Sequence, residues 1–512
     1  MLFDDHETQR LLDLVRLSAE APTKDYKKLL DEAKGAVLRR KVSGYDEWAK
    51  GIRERYSGKQ QDYTLGHLKQ RFPETWEQMP LASLNYMRLI ASQDAGVYGQ
   101  PPERWLEINR ERLDDEDPNA DATLMAAEES SLNVAMGELE RRCNVALTGL
   151  MRGLWVADPD LEHGGRISWA LYWPDQVGLV YHPLAVDFST LNQAVVILAE
   201  TASPVPQVKA WEMWTRTYVE EDPNSGYGPW VRRVLMDDGS VVVDDVELGP
   251  DERLPWVLAQ VGRPAGSPWI EPDYDLPVYV DTLNGDAAAM RLASDFGASP
   301  ILFYSGTAVE GEAMVIGPGA VNKLGPNERL EAVRMDPQLQ DMALLYDRSA
   351  KALASTRENS PDAYTSEVVA ESGVSRLIKN IPHERRLDQL KPNWVHIEER
   401  QVLPLLISLV NKYAEGATIA EELKPRMKPT EPQGYETEAE RTERVLRLLG
   451  EGLIGKPRAL VMLGEARDEA EARAMVDEQQ QATAPAVPGL ASGSPFTSTR
   501  ETTVGNEETP QQ

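Results

Sequence analysis

The string GEGLIGKP at residues 450–457 is the sharpest candidate for chemistry in this chain. It satisfies GxxxxGK, a loop that cradles phosphates with backbone N–H groups. Pro457, however, stands where such a loop places a Ser or Thr hydroxyl on the metal. The string also falls between two helical patterns instead of following a buried strand, so it predicts a helix stop, a turn and a restart. The six histidines (His6, His67, His163, His182, His383 and His396) are scattered. None forms HExxH or a Cys/His cluster, so no zinc site is predicted. His383-Glu384 and His396-x-Glu398 fall on helical patterns, where side chains one or two apart diverge.

Acidic pairs such as Asp114-Asp115, Glu220-Glu221 and Asp244-Asp245 have the residue types for two-carboxylate or metal chemistry. With 83 acidic residues in the chain, adjacency arises by chance, and solvated faces are expected. The indoles of Trp169–Trp173 and Trp211–Trp214 could stack on sugars. They sit inside strand patterns, which predicts a packed sheet face. GxSxG and HRD strings are absent. The sequence therefore predicts no enzyme, no metal and no cofactor.

The elements around these residues are many. At 512 residues the chain exceeds a single core, and 35 prolines with 36 glycines predict an elongated molecule of many segments. A lone cysteine, Cys143, excludes an internal disulfide framework and fits a reducing compartment. The opening MLFDDHETQR carries acids where a secretion signal carries positive charge, and the longest apolar run, 402–410, is too short for a bilayer. A soluble, intracellular chain is expected. The net charge of −29 opposes tight phosphate binding and attachment to anionic membranes, yet suits a wall past which DNA must slide.

Short amphipathic helices are predicted at 8–17 and 26–38, a turn-rich stretch at 56–67, a helix ending at Gly96 or Gly99, an acidic loop at 114–119, and a helix over 128–151. Between 166 and 248 the pattern turns strand-like, and Asp238-Gly239 is a hairpin signal. A helix over 282–296 carries Leu283, Ala287 and Met290 on one face. A Gly/Pro-rich excursion follows, with apolar bursts at 301–304 and 314–316. A second helix begins after Asp336-Pro337, with Leu339, Met342, Tyr346, Ala350 and Leu353 on one stripe. A third follows Ser372-Gly373, punctuated at Asn380-Ile381-Pro382 and broken at Pro404. The run 424–434 reads as a Pro-rich linker and residues from 479 as a disordered tail.

Four strings within this order carry a resemblance. RYSGK at 55–59 is similar to the early Y-x-G turn of the portal proteins of tailed bacteriophages, the ring at the unique capsid vertex. NYMRLIASQDAGVYG at 85–99 resembles the Asn-initiated helix that follows in that family. GSP at 266–268 is similar to the lead into its first stem helix. ESGV at 371–374 resembles the Ser-Gly-aliphatic element that opens its long helix. The resemblance covers most of residues 45–480.

It implies an α+β, portal-like subunit: a wing over 1–276 with an antiparallel β subdomain at about 166–248, stem helices at 277–296 and 336–355, and a clip at 297–335. A tunnel segment at 356–371, a long wing helix at 372–423, a linker at 424–434 and a helical crown at 435–478 follow, with the tail at 479–512. Channel-facing residues would be Arg357, Glu358, Asn359, Asp362 and Tyr364. Partner-facing clip residues would be Glu310, Glu312, Asn322 and Lys323. Ala287, Met290, Leu339, Tyr346, Ala350 and Leu353 would face neighbouring subunits. The implied partners are eleven further copies in a ring, a terminase large subunit, a head–tail adaptor, major capsid and scaffold proteins, and double-stranded DNA passing without specific binding. No membrane is involved, and the place is the virion, with assembly in the host cytoplasm. Two rivals remain: a carbohydrate-active hydrolase built on the Trp-rich strands, and a phage structural protein without a channel.

Overall fold

The computed structural model describes residues 26–40, 44–71, 73–74, 76–78, 84–114, 117–161, 164–181, 185, 187–201, 208–218, 227–249, 253–262, 267–298, 301–305, 329–333, 339–360, 364, 373–414, 419–420 and 422–430. Beyond these it describes 442, 445–447, 449–450, 454–463, 472–473 and 475–476. The chain divides into two units, 1–433 and 434–512.

Helices dominate the start of the first unit: α1 (Tyr26–Arg40), α2 (Tyr45–Tyr56), α3 (Gln60–Arg71) and α4 (Tyr86–Asp94). A short hairpin of β1 (Glu103–Ile108) and β2 (Glu111–Arg112) leads to α5 (Pro118–Glu129) and α6 (Leu132–Ala146). Local chemistry sets several starts. The Asn85 side chain accepts from the Arg88 N–H at the head of α4. Asp117 does the same for Asn119, with Pro118 in the first turn of α5. The acidic stretch expected as a loop at 114–119 is thus, in its second half, a helix start. The expected turn-rich stretch 56–67 is mostly α3, because tertiary packing of Thr64 and Leu68 overrides weak local propensity. The helix expected over 128–151 is split at Ser131, which takes a left-handed backbone, and ends where a strand begins at Thr148.

The β region holds β3 (Thr148–Ala157), β4 (Gly165–Tyr172), β5 (Val177–Tyr181), β6 (Ala194–Thr201), β7 (Ala210–Tyr218), β8 (Tyr227–Met236), β9 (Val241–Glu247) and β10 (Trp256–Gln260). They form two antiparallel sheets, β10-β3-β4 and β5-β6-β7-β8-β9. In β6 the near-continuous apolar run faces both ways. Ile197 and Ala199 enter the main core with Trp214, while Val196 and Leu198 meet Leu29, Leu30, Ala33 and Ala36 of α1. The Asp238-Gly239 signal forms the β8–β9 turn, with Gly239 at φ +84° and the Asp238 carboxylate accepting from Ser240. Trp173, Trp214, Trp230 and Trp256 are buried in the main core, so these indoles pack the fold.

After the sheets comes α7 (Asp275–Ala298), then the hairpin β11 (Ile301–Ser305) and β12 (Arg329–Val333), paired from Ile301↔Val333 to Ser305↔Arg329. α8 (Leu339–Thr356) and the long α9 (Gly373–Ile397) follow. α9 runs through Pro382 and Pro392, so the expected punctuation at Pro382 does not end it. The break comes as a π-helical turn, Glu398–Val402, before α10 (Leu403–Tyr413). Pro404 lacks an N–H and its ring crowds the carbonyl four residues back, and the wider turn relieves both. The expected linker opens with a strand: β13 (Lys424–Lys428) pairs antiparallel with β1 from Glu103↔Lys428 to Glu107↔Lys424.

In the second unit, α11 (Lys456–Leu463) begins directly after Gly455. Lys456 of the GxxxxGK string is therefore a first-turn helix residue. The predicted helix at 8–17, the burst at 314–316, the four clip residues Glu310, Glu312, Asn322 and Lys323, Glu220-Glu221, and the tail from 479 lie outside the described residues. Among the described residues no helix is long and apolar enough to cross a membrane, and no His, Cys, Asp and Glu group is placed to hold a metal.

Candidate functional site

The helices α7 and α8 pack on each other, and a hydrogen-bonded turn follows α8. Polar clamps fix α7 to the N-terminal helices. The Arg55 guanidinium grips the Asp281 carboxylate through Nε at 3.1 Å and Nη2 at 2.6 Å, a buried bidentate pair. Asn284 accepts from the Leu84 N–H at 2.9 Å and donates to its carbonyl at 3.2 Å. Arg71 reaches Asp286 at 2.6 Å. At Gly285 a Cβ would come within 2.9 Å of the His67 ring, so glycine is what admits α3 to this contact.

α8 leans on the same core. Ala350, Leu353 and Ala354 are buried there beside Leu276, Val280 and Leu283 of α7. Tyr346 is half-buried and its hydroxyl bonds that of Tyr86. This corrects the expectation for Ala350 and Leu353, which are sealed inside their own chain and leave no surface for a neighbour. Ala287, Met290 and Leu339 are half-buried. The apolar side chains that α7 and α8 do expose are others: Val278 at 61%, Tyr279 at 41%, Leu344 at 54% and Leu345 at 58%. Sequence reading missed them because it followed one stripe per helix. The only signal was the Leu344-Leu345 doublet, whose members lie off the Leu339–Leu353 stripe.

At the end of α8 the chain makes a Schellman turn. The Asn359 N–H bonds the Ala354 carbonyl at 2.9 Å and the Glu358 N–H bonds that of Ser355 at 3.1 Å. Glu358 occupies the left-handed position at φ +58°, where glycine is usual. A Glu358→Gly variant is expected to raise stability by about 1 kcal/mol, the cost of the left-handed backbone. Denaturant unfolding reads this; a lower midpoint would contradict it.

Asp94, at the last residue of α4 and fully buried, gathers this turn. Its carboxylate receives Arg357 through Nη2 at 2.6 Å and Nε at 3.0 Å, and Arg386 of α9 at 3.0 Å. Asn359 Nδ2 and the Tyr364 hydroxyl also donate to it. Arg386 in turn donates to the Arg357 carbonyl at 2.8 Å. Burial opposes ionisation of Asp94, but the Arg357 and Arg386 guanidiniums with the donated hydrogen bonds prevail, holding its carboxyl below the usual range. Burial pushes the Tyr364 hydroxyl up and the His383 imidazole down.

Three of the five residues expected on a channel wall (Arg357, Asn359 and Tyr364) are thus brought together around Asp94, with Asn359 and Tyr364 buried. Their side chains are spent on internal pairing. Glu358 alone among the described four is exposed, and Asp362 lies outside the described residues.

Two more buried acids hold the strand-ward chain. Glu140 accepts the N–H groups of Gly96, Val97 and Tyr98 at 2.9–3.1 Å; burial outweighs these bonds, leaving its carboxyl above the usual range. Glu398 accepts from the Tyr98 hydroxyl at 2.6 Å and from Arg104 Nε.

No family model matches this chain, and no curated protein matches it. Among solved structures, a chain in the virion of a native gene transfer agent particle aligns with a TM-score of 0.41 at 12% identity, over 78% of this chain and 93% of that one. A chain in the neck of an empty gene transfer agent particle, computed with C6 symmetry, aligns with a TM-score of 0.37 at 13% identity, over 74% and 88%.

Proposed function

We propose that this chain is a portal-type subunit: it closes into a ring at one capsid vertex, passes DNA during packaging and ejection, and offers a docking face to a terminase and later to head–tail adaptors. The observation that carries the reading is the α7–hairpin–α8 arrangement with its outward apolar side chains. Two mutually packed helices are joined through β11–β12, and Val278, Tyr279, Leu344 and Leu345 stay exposed while the inner faces are sealed. Exposed apolar faces on adjoining helices suit head-to-tail contact between copies, which closes into a ring when the rotation permits. In this reading the ring-facing residues are these four together with the half-buried Ala287, Met290, Leu339 and Tyr346, and DNA is faced by Glu358 and Asp362. Partners dock on the clip around Glu310, Glu312, Asn322 and Lys323. The motor that hydrolyses ATP is a separate protein, and capsid and scaffold proteins surround the ring.

Mass photometry and negative-stain imaging of the purified chain test this. A closed ring of about twelve copies is expected, and Leu344→Asp with Leu345→Asp should abolish it while circular dichroism stays native. A monomer of 57.1 kDa under all conditions, including with scaffold protein co-produced, would overturn it.

A further inference from the structure

α3 turns a polar row toward α7. Gln60, Thr64 and His67 stand at i, i+4 and i+7, on one helical face. Gln60 is 2% exposed and Thr64 is fully buried. Leu68, one turn past Thr64, packs with Ala288 of α7, and the His67 ring lies against Gly285. Among the described residues, both amide atoms of Gln60, the Thr64 hydroxyl and His67 Nε2 are buried without a hydrogen-bond partner. A folded chain satisfies nearly all such groups, so these four, on one helix face, each call for a partner.

The chemistry of the row selects it. An amide and a hydroxyl each donate and accept, and an imidazole nitrogen does one or the other by tautomer. No carboxylate belongs to the row, and the carboxylate of Asp281 on α7 is taken by Arg55. A cation therefore finds no charge to balance it, and an anion finds no free guanidinium or ammonium. We propose that the α3–α7 seam is a binding site for ordered water, at least one molecule bridging the Thr64 hydroxyl to the Gln60 amide and His67 Nε2. Such a molecule makes two to four bonds, which this set supplies. α7 is then held on α3 by a wet contact, with the apolar Leu68–Ala288 contact beside it.

Thermal unfolding of the full chain with Thr64→Val and Thr64→Ser separates the possibilities. Valine keeps the shape and removes the hydroxyl, so with bound water Tm falls by about 2 °C, whereas serine, which keeps the hydroxyl, falls less. A Tm for Thr64→Val equal to or above that of the parent would overturn the proposal, since removing an unpaired hydroxyl from a dry site stabilises. So would an equal fall for serine, which would mark a packing effect, or a high-resolution map with no density in the seam.

Discussion

Replacing Asp94 by Ala is expected to destabilise the first unit by about 3–5 kcal/mol, because it strands two largely buried guanidiniums without the carboxylate they share. Arg357 and Arg386 both converge on the Asp94 Oδ2 atom, at 2.6 Å and 3.0 Å. Arg357 keeps a weaker contact to Asp273 at 3.5 Å and a bond to the Asn144 carbonyl, so it is held but not neutralised. Asp94→Asn should cost less, since an amide still accepts from one donor. The loss should be local in its dynamics: hydrogen exchange is expected to rise over 353–360 and 384–390, which Asp94 ties together, and to stay slow in β6. A carboxyl held below its usual range adds stability that is present above its unfolded pKa and lost as pH falls through the folded value. The Asp94→Ala protein should therefore lack part of the parent's acid sensitivity. An unfolding free energy within about 0.5 kcal/mol of the parent, the range of surface substitutions, would show that the cluster carries no weight.

How far the sequence was readable depends on the range of the forces involved. β6 was legible because AVVILAE is apolar on both faces, and the β8–β9 turn because Asp238-Gly239 names its own geometry. The pair α7 and α8, with a strand at 301–304 between them, was legible from periodicity. β3 was not. Its TGLMRGLWVA carries two glycines, which look like breakers. In the fold, a Cβ at Gly149 would come within 2.9 Å of the Cys143 Sγ, and one at Gly153 within 2.6 Å of the Trp169 ring. Those glycines are set by close approach of other elements, which no local pattern records.

β13 was missed for a related reason. KPRMK has no strand pattern, and it pairs because β1 offers an edge and Arg426 is clamped by Glu107 and Glu399 at 2.7 Å and 3.1 Å. The Asp94 cluster joins residues separated by more than 260 positions. Arg357 and Asn359 were therefore assigned by position along the chain to an open wall, when their partners lay far away in sequence.

Removing Arg104 is the second large loss expected, about 3–5 kcal/mol, and here the partner tells why. Glu398 is fully buried at the first position of the π turn, and Arg104 Nε is its charged neighbour. With Ala at 104 the carboxylate retains, among the described residues, the Tyr98 hydroxyl at 2.6 Å, too little to offset its desolvation. Glu398→Leu alone should be similarly costly, because Arg104 would keep Asn133 as a neutral acceptor while its charge stays buried. Together, Arg104→Met and Glu398→Leu remove both charges and fill the space with apolar atoms, so the double variant should recover most of the loss. A cycle of the four proteins by denaturant unfolding is expected to give a coupling of more than about 1 kcal/mol, and strictly additive costs would sink the claim. The π turn itself should survive in the double variant. Gln401 brackets the Leu258 peptide at 3.0 Å and 3.1 Å, and Pro404 still forbids a regular helix there. The charge pair thus fixes where the turn aims Glu398, while Gln401 and Pro404 fix that the turn exists.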